Sequence, residues 1–415
     1  MQIKFNKFSS KYFIILNQSI VSLGNFLLSV VLIKFLGLKF FGTFSLIWIS
    51  ILFINSLQLS LIISPLMTNL PKQLKAYKNH YLGGVFIQQI FFLITIFLIL
   101  TIFLNINILS QKIFFMKYFS FNVFIFIFVS QLSQLLRRFF LVQKKIFRAS
   151  ILDFLNYFIF YFLLFSSLFI IEIELTIDKV FLFFNISLVF GLLVNIFVFF
   201  DLRFSKKYFF SSLYENWKIS KWITYATIFQ WYSSNVWILS VGSLLGPFYV
   251  GVIRACQSVI NIANLFFQAL ENYLPSKISE IYMLNKKKNL KNFYNKITKK
   301  GIVLTFILSL FIALFSKQIL TIIYDDTLTE YYWFLSILSF ILPIIYLQFP
   351  LNYLFRTLAK TKPIFIAFLF SGLFSLFANN YLILSFNLFG FLLGIFSVQV
   401  IILIILYTYI KKISF

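Results

Sequence analysis

The chain has 415 residues, of which 61% are hydrophobic and only 11% charged, and phenylalanine alone accounts for 62 positions. One globular core cannot hide that much apolar surface, so a soluble domain is excluded. A net charge of +25 would point to nucleic acid in a soluble protein, but no base-stacking pattern interleaves with the lysines, and nucleic acid is set aside as a partner.

Runs of about 20 apolar residues, enough to cross roughly 30 Å of hydrocarbon as a helix, predict twelve spans. They lie near 12–33, 43–63, 82–104, 119–136, 149–171, 180–200, 223–245, 251–273, 302–323, 331–354, 364–384 and 390–410. None alternates polar and apolar over about ten residues, as strands of an outer-membrane barrel would. The expected fold is all-α: a polytopic membrane protein with about 12 transmembrane helices in two six-helix lobes, 1–210 and 211–415.

Along the chain, Lys4, Lys7 and Lys11 precede a first apolar run without a small-residue cleavage site, which reads as a retained span and not a signal peptide. Leu36-Gly37, four residues and Gly42 follow it, and Pro65 ends the second span. His80 stands alone in a loop and reads as a surface residue. Leu132-Ser-Gln-Leu-Leu-Arg137 closes the fourth span, and Asp153 opens the fifth with Arg137, Arg138 and Arg148 available as partners. The connection 201–222 is the joint between lobes. Beyond it Leu245-Gly246, four residues and Gly251 repeat the first turn, Pro275 repeats Pro65, and Leu351-Asn-Tyr-Leu-Phe-Arg356 repeats the close of the fourth span. Three features recurring in order predict a duplication, with halves related by a pseudo-two-fold axis along the membrane normal. Between the repeats, 276–300 spaces apolar residues among lysines and predicts a surface-lying amphipathic helix against anionic headgroups.

The basic residues also set a topology. Alternate connections, beginning with the N-terminal tail, hold 29 of the 36 Lys and Arg. Glu172, Glu174, Asp178, Asp325, Asp326 and Glu330 gather in two of the others. The positive-inside bias places both termini in the cytoplasm.

Polar groups within spans are costly unless they face protein or water, so their helical phase identifies a wet face. In the eighth span Arg254, Gln257, Asn261, Asn264, Gln268 and Glu271 step by three and four and fall within an arc of roughly 100°. The first span offers Gln18, Ser22, Asn25 and Ser29 within about 60°. The seventh adds Thr224, Thr227, Gln230 and Ser234, and the second Asn55 and Gln58. Interhelical hydrogen bonding explains such groups as well as a cavity does for the first, second and seventh spans; the ionisable residues of the eighth favour a cavity. Arg254 could equally snorkel to the nearby surface.

Other chemistries lack their residues. Gly37 to Gly42 has no phosphate-loop lysine, the single Cys256 forms no disulfide, and no metal-spaced His/Cys set or hydrolytic triad is present. No cofactor is expected. An outer-face glycan polymerase is the enzyme alternative, but the external connections are too short to build an acceptor site.

Lys34-Phe-Leu-Gly37 through Gly42-Thr-Phe, and Leu245-Gly246-Pro-Phe-Tyr-Val-Gly251-Val-Ile-Arg254-Ala-Cys-Gln257, resemble the polysaccharide-transporter branch of the multidrug/oligosaccharidyl-lipid/polysaccharide exporter superfamily. The resemblance runs along essentially the whole chain. It implies a MATE/MurJ-like architecture and a Wzx-type flippase of the cytoplasmic (inner) membrane, not an enzyme. Such a flippase carries undecaprenyl-diphosphate-linked O-antigen or capsule repeat units across the bilayer by alternating access, with a glycan polymerase and other polysaccharide-assembly proteins as partners. Arg254 would be the principal diphosphate contact, with Lys34 assisting, and the polar residues above would shelter the sugars. A drug/cation antiporter of the same superfamily is the competing expectation, with Asp153 as its membrane carboxylate.

Overall fold

A computed structural model describes residues 7–415 apart from 75–76, 106–118, 144, 173, 196, 198–201, 264–266, 268–269, 271–273, 275–276, 279, 282–286, 359 and 412–415. The side chains of 7–19, 72, 103–105, 207, 219, 222 and 287–289 also lie outside the description. Among the described residues the structure is helical, without strands, as expected where no water is available to satisfy backbone groups. The helices are α1 (Lys7–Gln58), α2 (Ser64–Asn69), α3 (Lys78–Asn105), α4 (Phe121–Val142), α5 (Ile146–Phe169), α6 (Ile177–Val194), α7 (Lys206–Leu244), α8 (Pro247–Ile260), α9 (Lys287–Leu314), α10 (Ser316–Tyr324), α11 (Tyr332–Ser339), α12 (Ile341–Thr357) and α13 (Lys362–Lys411). Eight helical stretches among the described residues are long and apolar enough to cross a membrane. The long helices α1 and α13 each contain one non-helical residue, Gly37 and Asn387, so each supplies two spans. The protein is a multi-pass membrane protein.

The repeated turn has one physical cause in both places. Gly37 takes φ 79° and ψ 167°, and Gly246 takes φ 98° and ψ 167°. This region of backbone space is essentially confined to glycine. Each turn ends one helix and redirects the next, and the second glycine of each motif lets the two turns meet. A Cβ on Gly42 would lie 1.7 Å from Pro247 O, and a Cβ on Gly251 would lie 2.2 Å from Leu38 O. Leu38 and Pro247 are the residues just after the two turning glycines. The contact is therefore reciprocal, each turn's second glycine touching the residue after the other's first, as a local two-fold relation requires.

The chain divides into two compact units. The first comprises 1–25 and 47–228, the second 26–46 and 229–415. Within the first, Trp48, Phe126, Phe181 and Phe184 pack ring against ring, with Phe160 stacked on Phe184 at 3.9 Å. The first part of α7 is bound into this unit by polar contacts: Asn216 accepts from Asn69 Nδ2 (3.1 Å) and Tyr81 OH (2.7 Å) and donates to Gln88 Oε1 (3.0 Å). Helix α7 begins at Lys206, well before the apolar run that predicts it, because these buried amides satisfy a stretch too polar for hydropathy to detect. A π-helical turn, Leu59–Ile63, follows Gln58, whose amide donates to Gln89 Oε1 (2.8 Å) and Gln131 O (2.7 Å).

In the second unit, Trp237 is fully buried, donates to Ser375 Oγ at 2.9 Å and packs against Gly394. Tyr324, also buried, gathers three groups from two helices at its hydroxyl: Ser29 of α1 (3.3 Å), and Ser258 and the carbonyl of Ala255 (3.3 Å) of α8. Lys34 pairs with Asp325 at 3.1 Å. These contacts, with the glycine turns, anchor 26–46 in the second unit.

Candidate functional site

A cavity of about 280 Å³ lies wholly within the second unit. Its polar lining comes from α7 (Ser233, Ser234 and Asn235), from α8 and the turn after it (Arg254, Gln257 and Asn261), and from α13 (Gln399); Leu338, Ile341 and Ile345 are among the apolar groups that complete the wall.

Each helix presents its polar groups with their local needs already met. Ser234 Oγ donates to Gln230 O (3.0 Å) and Asn235 Nδ2 to Trp231 O (3.0 Å), both one turn back. Such bonding spares the bare hydroxyl or amide the cost of lipid. Gln348 Nε2 donates to both Gln399 O (2.9 Å) and Gln399 Oε1 (2.8 Å). That bond occupies the acceptor of Gln399 and leaves its –NH₂ as a donor. Arg254 is half-buried, and its Nη1 donates to Gln257 Oε1 at 3.1 Å. Of the five guanidinium N–H groups, that is the one bond formed among the described residues.

Arg254 is also the one ionisable residue lining the cavity among the described residues. The site is thus a concave pocket with one fixed positive charge, carboxamide and hydroxyl groups around it, and no counter-charge among the described residues. Such a pocket favours an anion, and bidentate N–H pairs suit phosphate or carboxylate oxygens. No group of three His, Cys, Asp or Glu among the described residues is placed to hold a metal.

The residues singled out from sequence fall into three sets. Arg254, Gln257, Asn261 and Ser234 come together in the cavity. Others lie elsewhere: Gln230 is exposed and is not part of the wall; Ser22 is half-buried in α1; Asn25 is exposed and accepts from Tyr157 OH at 3.3 Å in the first unit. Ser29 is 5% exposed, donates to Phe26 O (2.7 Å) and meets Tyr324, while Lys34 is held by Asp325. The third set, Asn264, Gln268 and the side chain of Gln18, lies outside the described residues. The regular α-helical phase assumed for the eighth span holds only to Ile260, where a 3₁₀ turn, 261–263, tightens the winding. Ile260, which that phase leaves outside the polar arc, lines the cavity too.

Three polar lining groups were not anticipated, Ser233, Asn235 and Gln399. Gln399 is a lone amide in an apolar span, and it carries a signal only when paired with Gln348 of the tenth span. Asp153 is met by Arg137, with Nε to Oδ2 at 2.6 Å, the interfacial pairing the sequence offered. Helix α4 runs to Val142, so Arg137 and Arg138 lie within a helix, as Arg254 does.

The MatE family profile matches residues 223–382. No curated protein matches. Solved structures match along almost the whole chain. A multidrug resistance MATE family transporter of the MOP superfamily, in an inward-facing conformation, superposes with a TM-score of 0.76 at 12% identity, over 95% of this chain and 96% of that one. The lipid II flippase MurJ, in an inward closed conformation, gives 0.78 at 14% identity, over 95% and 87%. A MOP superfamily transporter from Pyrococcus furiosus gives 0.63 at 13%, over 96% and 94%. At these identities the likeness establishes the fold: the chain has the architecture shared by MATE transporters and MurJ.

Proposed function

We propose that this chain is a flippase that carries an undecaprenyl-diphosphate-linked oligosaccharide repeat unit, of O-antigen or capsule type, across the cytoplasmic membrane. Its fold, shared with a lipid II flippase and with multidrug transporters, is compatible with either kind of cargo. The observation that carries the choice is the cavity: among the described residues Arg254 is its one charge, carboxamides and hydroxyls surround it, and no carboxylate lines it. A diphosphate needs cationic donors, and a glycan needs amides that both donate and accept. A cationic drug needs an acidic partner, and Asp153, the membrane carboxylate of the first half, is already paired with Arg137. At about 280 Å³ the cavity falls just below the roughly 300–1,000 Å³ typical of sites that enclose a whole ligand. It therefore takes the head of the cargo and not an extended glycan. Both termini face the cytoplasm in this reading, supported by the basic connections.

The test is flipping of fluorescent undecaprenyl-diphosphate oligosaccharide in proteoliposomes. Wild-type protein moves the label across the bilayer; Arg254→Ala, reconstituted to the same level, moves it at least about tenfold more slowly, and Arg254→Lys keeps part of the rate. Wild-type rates in the alanine variant would remove Arg254 from the site. Efflux of a cationic drug in the absence of any flipping would replace the reading altogether.

A further inference from the structure

We propose a second anion site, in the first unit, where the end of α4 meets the start of α5; its ligand is the phosphate of a lipid headgroup. Arg137 and Arg138 are consecutive residues in the last turns of α4. Side chains on neighbouring helical positions diverge by about 100°, and Asp153, close enough to act on both charges, forms its hydrogen bond with Arg137 alone among the described residues. Asp153 on α5 takes Arg137 through Nε at 2.6 Å, with side chains 19% and 9% exposed. Arg138 is left over: its Nε is buried, with no hydrogen-bond partner among the described residues. Ser150, one turn before Asp153 on the same face of α5, likewise buries a hydroxyl without a partner. Next to these stand Lys145 and Arg148, both exposed.

A guanidinium with a buried N–H that finds no acceptor and an unpaired buried hydroxyl are each costly, and native proteins place such groups where a ligand completes them. Every unmet group here can donate, and the cluster of two arginines and one aspartate has a net charge of +1. The missing partner is therefore an oxyanion. The cluster belongs to the basic connection 137–148, the kind of segment that lies at the headgroup layer, where phosphates are the abundant oxyanions. Asp153 orients Arg137 and repels the incoming phosphate, which keeps the site weak enough to release its ligand.

Two lipids carry the required group: an ordinary anionic phospholipid, and the diphosphate carrier lipid. The second source rests on the transport reading given above; the first does not. The test measures binding of phosphatidylglycerol, undecaprenyl diphosphate and uncharged diacylglycerol to the purified full chain by native mass spectrometry, in an Arg254→Ala background so that the cavity does not contribute. Both phosphate lipids bind and diacylglycerol does not; Arg138→Gln weakens the binding about tenfold, Arg138→Lys restores part of it, and Asp153→Asn strengthens it severalfold. Equal affinity for the two phosphate lipids assigns the site to bilayer headgroups, and a preference of tenfold or more for undecaprenyl diphosphate assigns it to the carrier. Unchanged binding in Arg138→Gln would overturn the proposal. So would weaker binding in Asp153→Asn together with a lower melting point, since that is the behaviour of a purely structural ion pair. Failure of glycan flipping would leave phosphatidylglycerol binding intact, so the two readings fail separately.

Discussion

The glycine pair at the crossed turns offers the sharpest quantitative test. In Gly42→Ala the new methyl falls 1.7 Å from Pro247 O, and in Gly251→Ala 2.2 Å from Leu38 O. Ordinary contact begins near 3.4 Å, so one turn must retreat by more than 1 Å in either variant. The obstacle is backbone, which cannot rotate away as a side chain would. Overpacking of this kind costs about 1–3 kcal/mol. Since both variants force the same two turns apart, the double variant costs less than the sum of the singles. Gly372→Ala is the control: its methyl would sit 3.6 Å from Phe229 O, an ordinary contact, and it changes stability by less than about 0.5 kcal/mol. The reporter is built in. Cys256, the sole cysteine, is fully buried five residues beyond Gly251, so a thiol-reactive dye reads unfolding at this place. At roughly 2–4 °C per kcal/mol, each single variant lowers the midpoint of dye labelling by several degrees. Additive losses, or a Gly42→Ala variant as stable as Gly372→Ala, would refute the reciprocal contact.

Two further outcomes follow from buried amides. Asn216→Ala removes one partner each from Asn69, Tyr81 and Gln88 and leaves them buried; it destabilises the protein by about 2–3 kcal/mol, seen as earlier aggregation by light scattering. Gln399→Leu makes the cavity drier while Gln348 keeps its bond to the residue 399 carbonyl. The melting point therefore moves little, and glycan flipping in proteoliposomes slows severalfold.

The helical architecture was legible because lipid leaves an apolar run no other way to satisfy its backbone. The turns were legible because Gly37 and Gly246 use a conformation that other residues avoid. Four cavity residues, Ser234, Arg254, Gln257 and Asn261, were found by phase, because costly polar groups share the face that is not lipid. Phase failed where winding changed or where the partner was distant. The 3₁₀ turn at 261–263 has no marker in sequence. Asn25 and Ser29 share one face of a helix yet bond to Tyr157 and Tyr324, which lie in different units. The surplus of arginine over aspartate at the end of α4 was visible as composition, but only geometry shows which guanidinium goes without.

The exchange of segments between the two units bears on how the protein is made. Residues 26–46 belong with 229–415, so Gly42 must wait for Pro247, 205 positions later in the chain. At about 5–20 residues per second that wait is roughly 10–40 s. For that time the early turn stands in the bilayer with its glycine face uncovered, and a neighbouring protein able to cover it temporarily would speed assembly. The first unit is finished earlier, since its last residue, 228, precedes Pro247 in the chain. Biogenesis thus has a fixed order, with the amino-terminal strap laid down first and engaged only after the second unit begins to form.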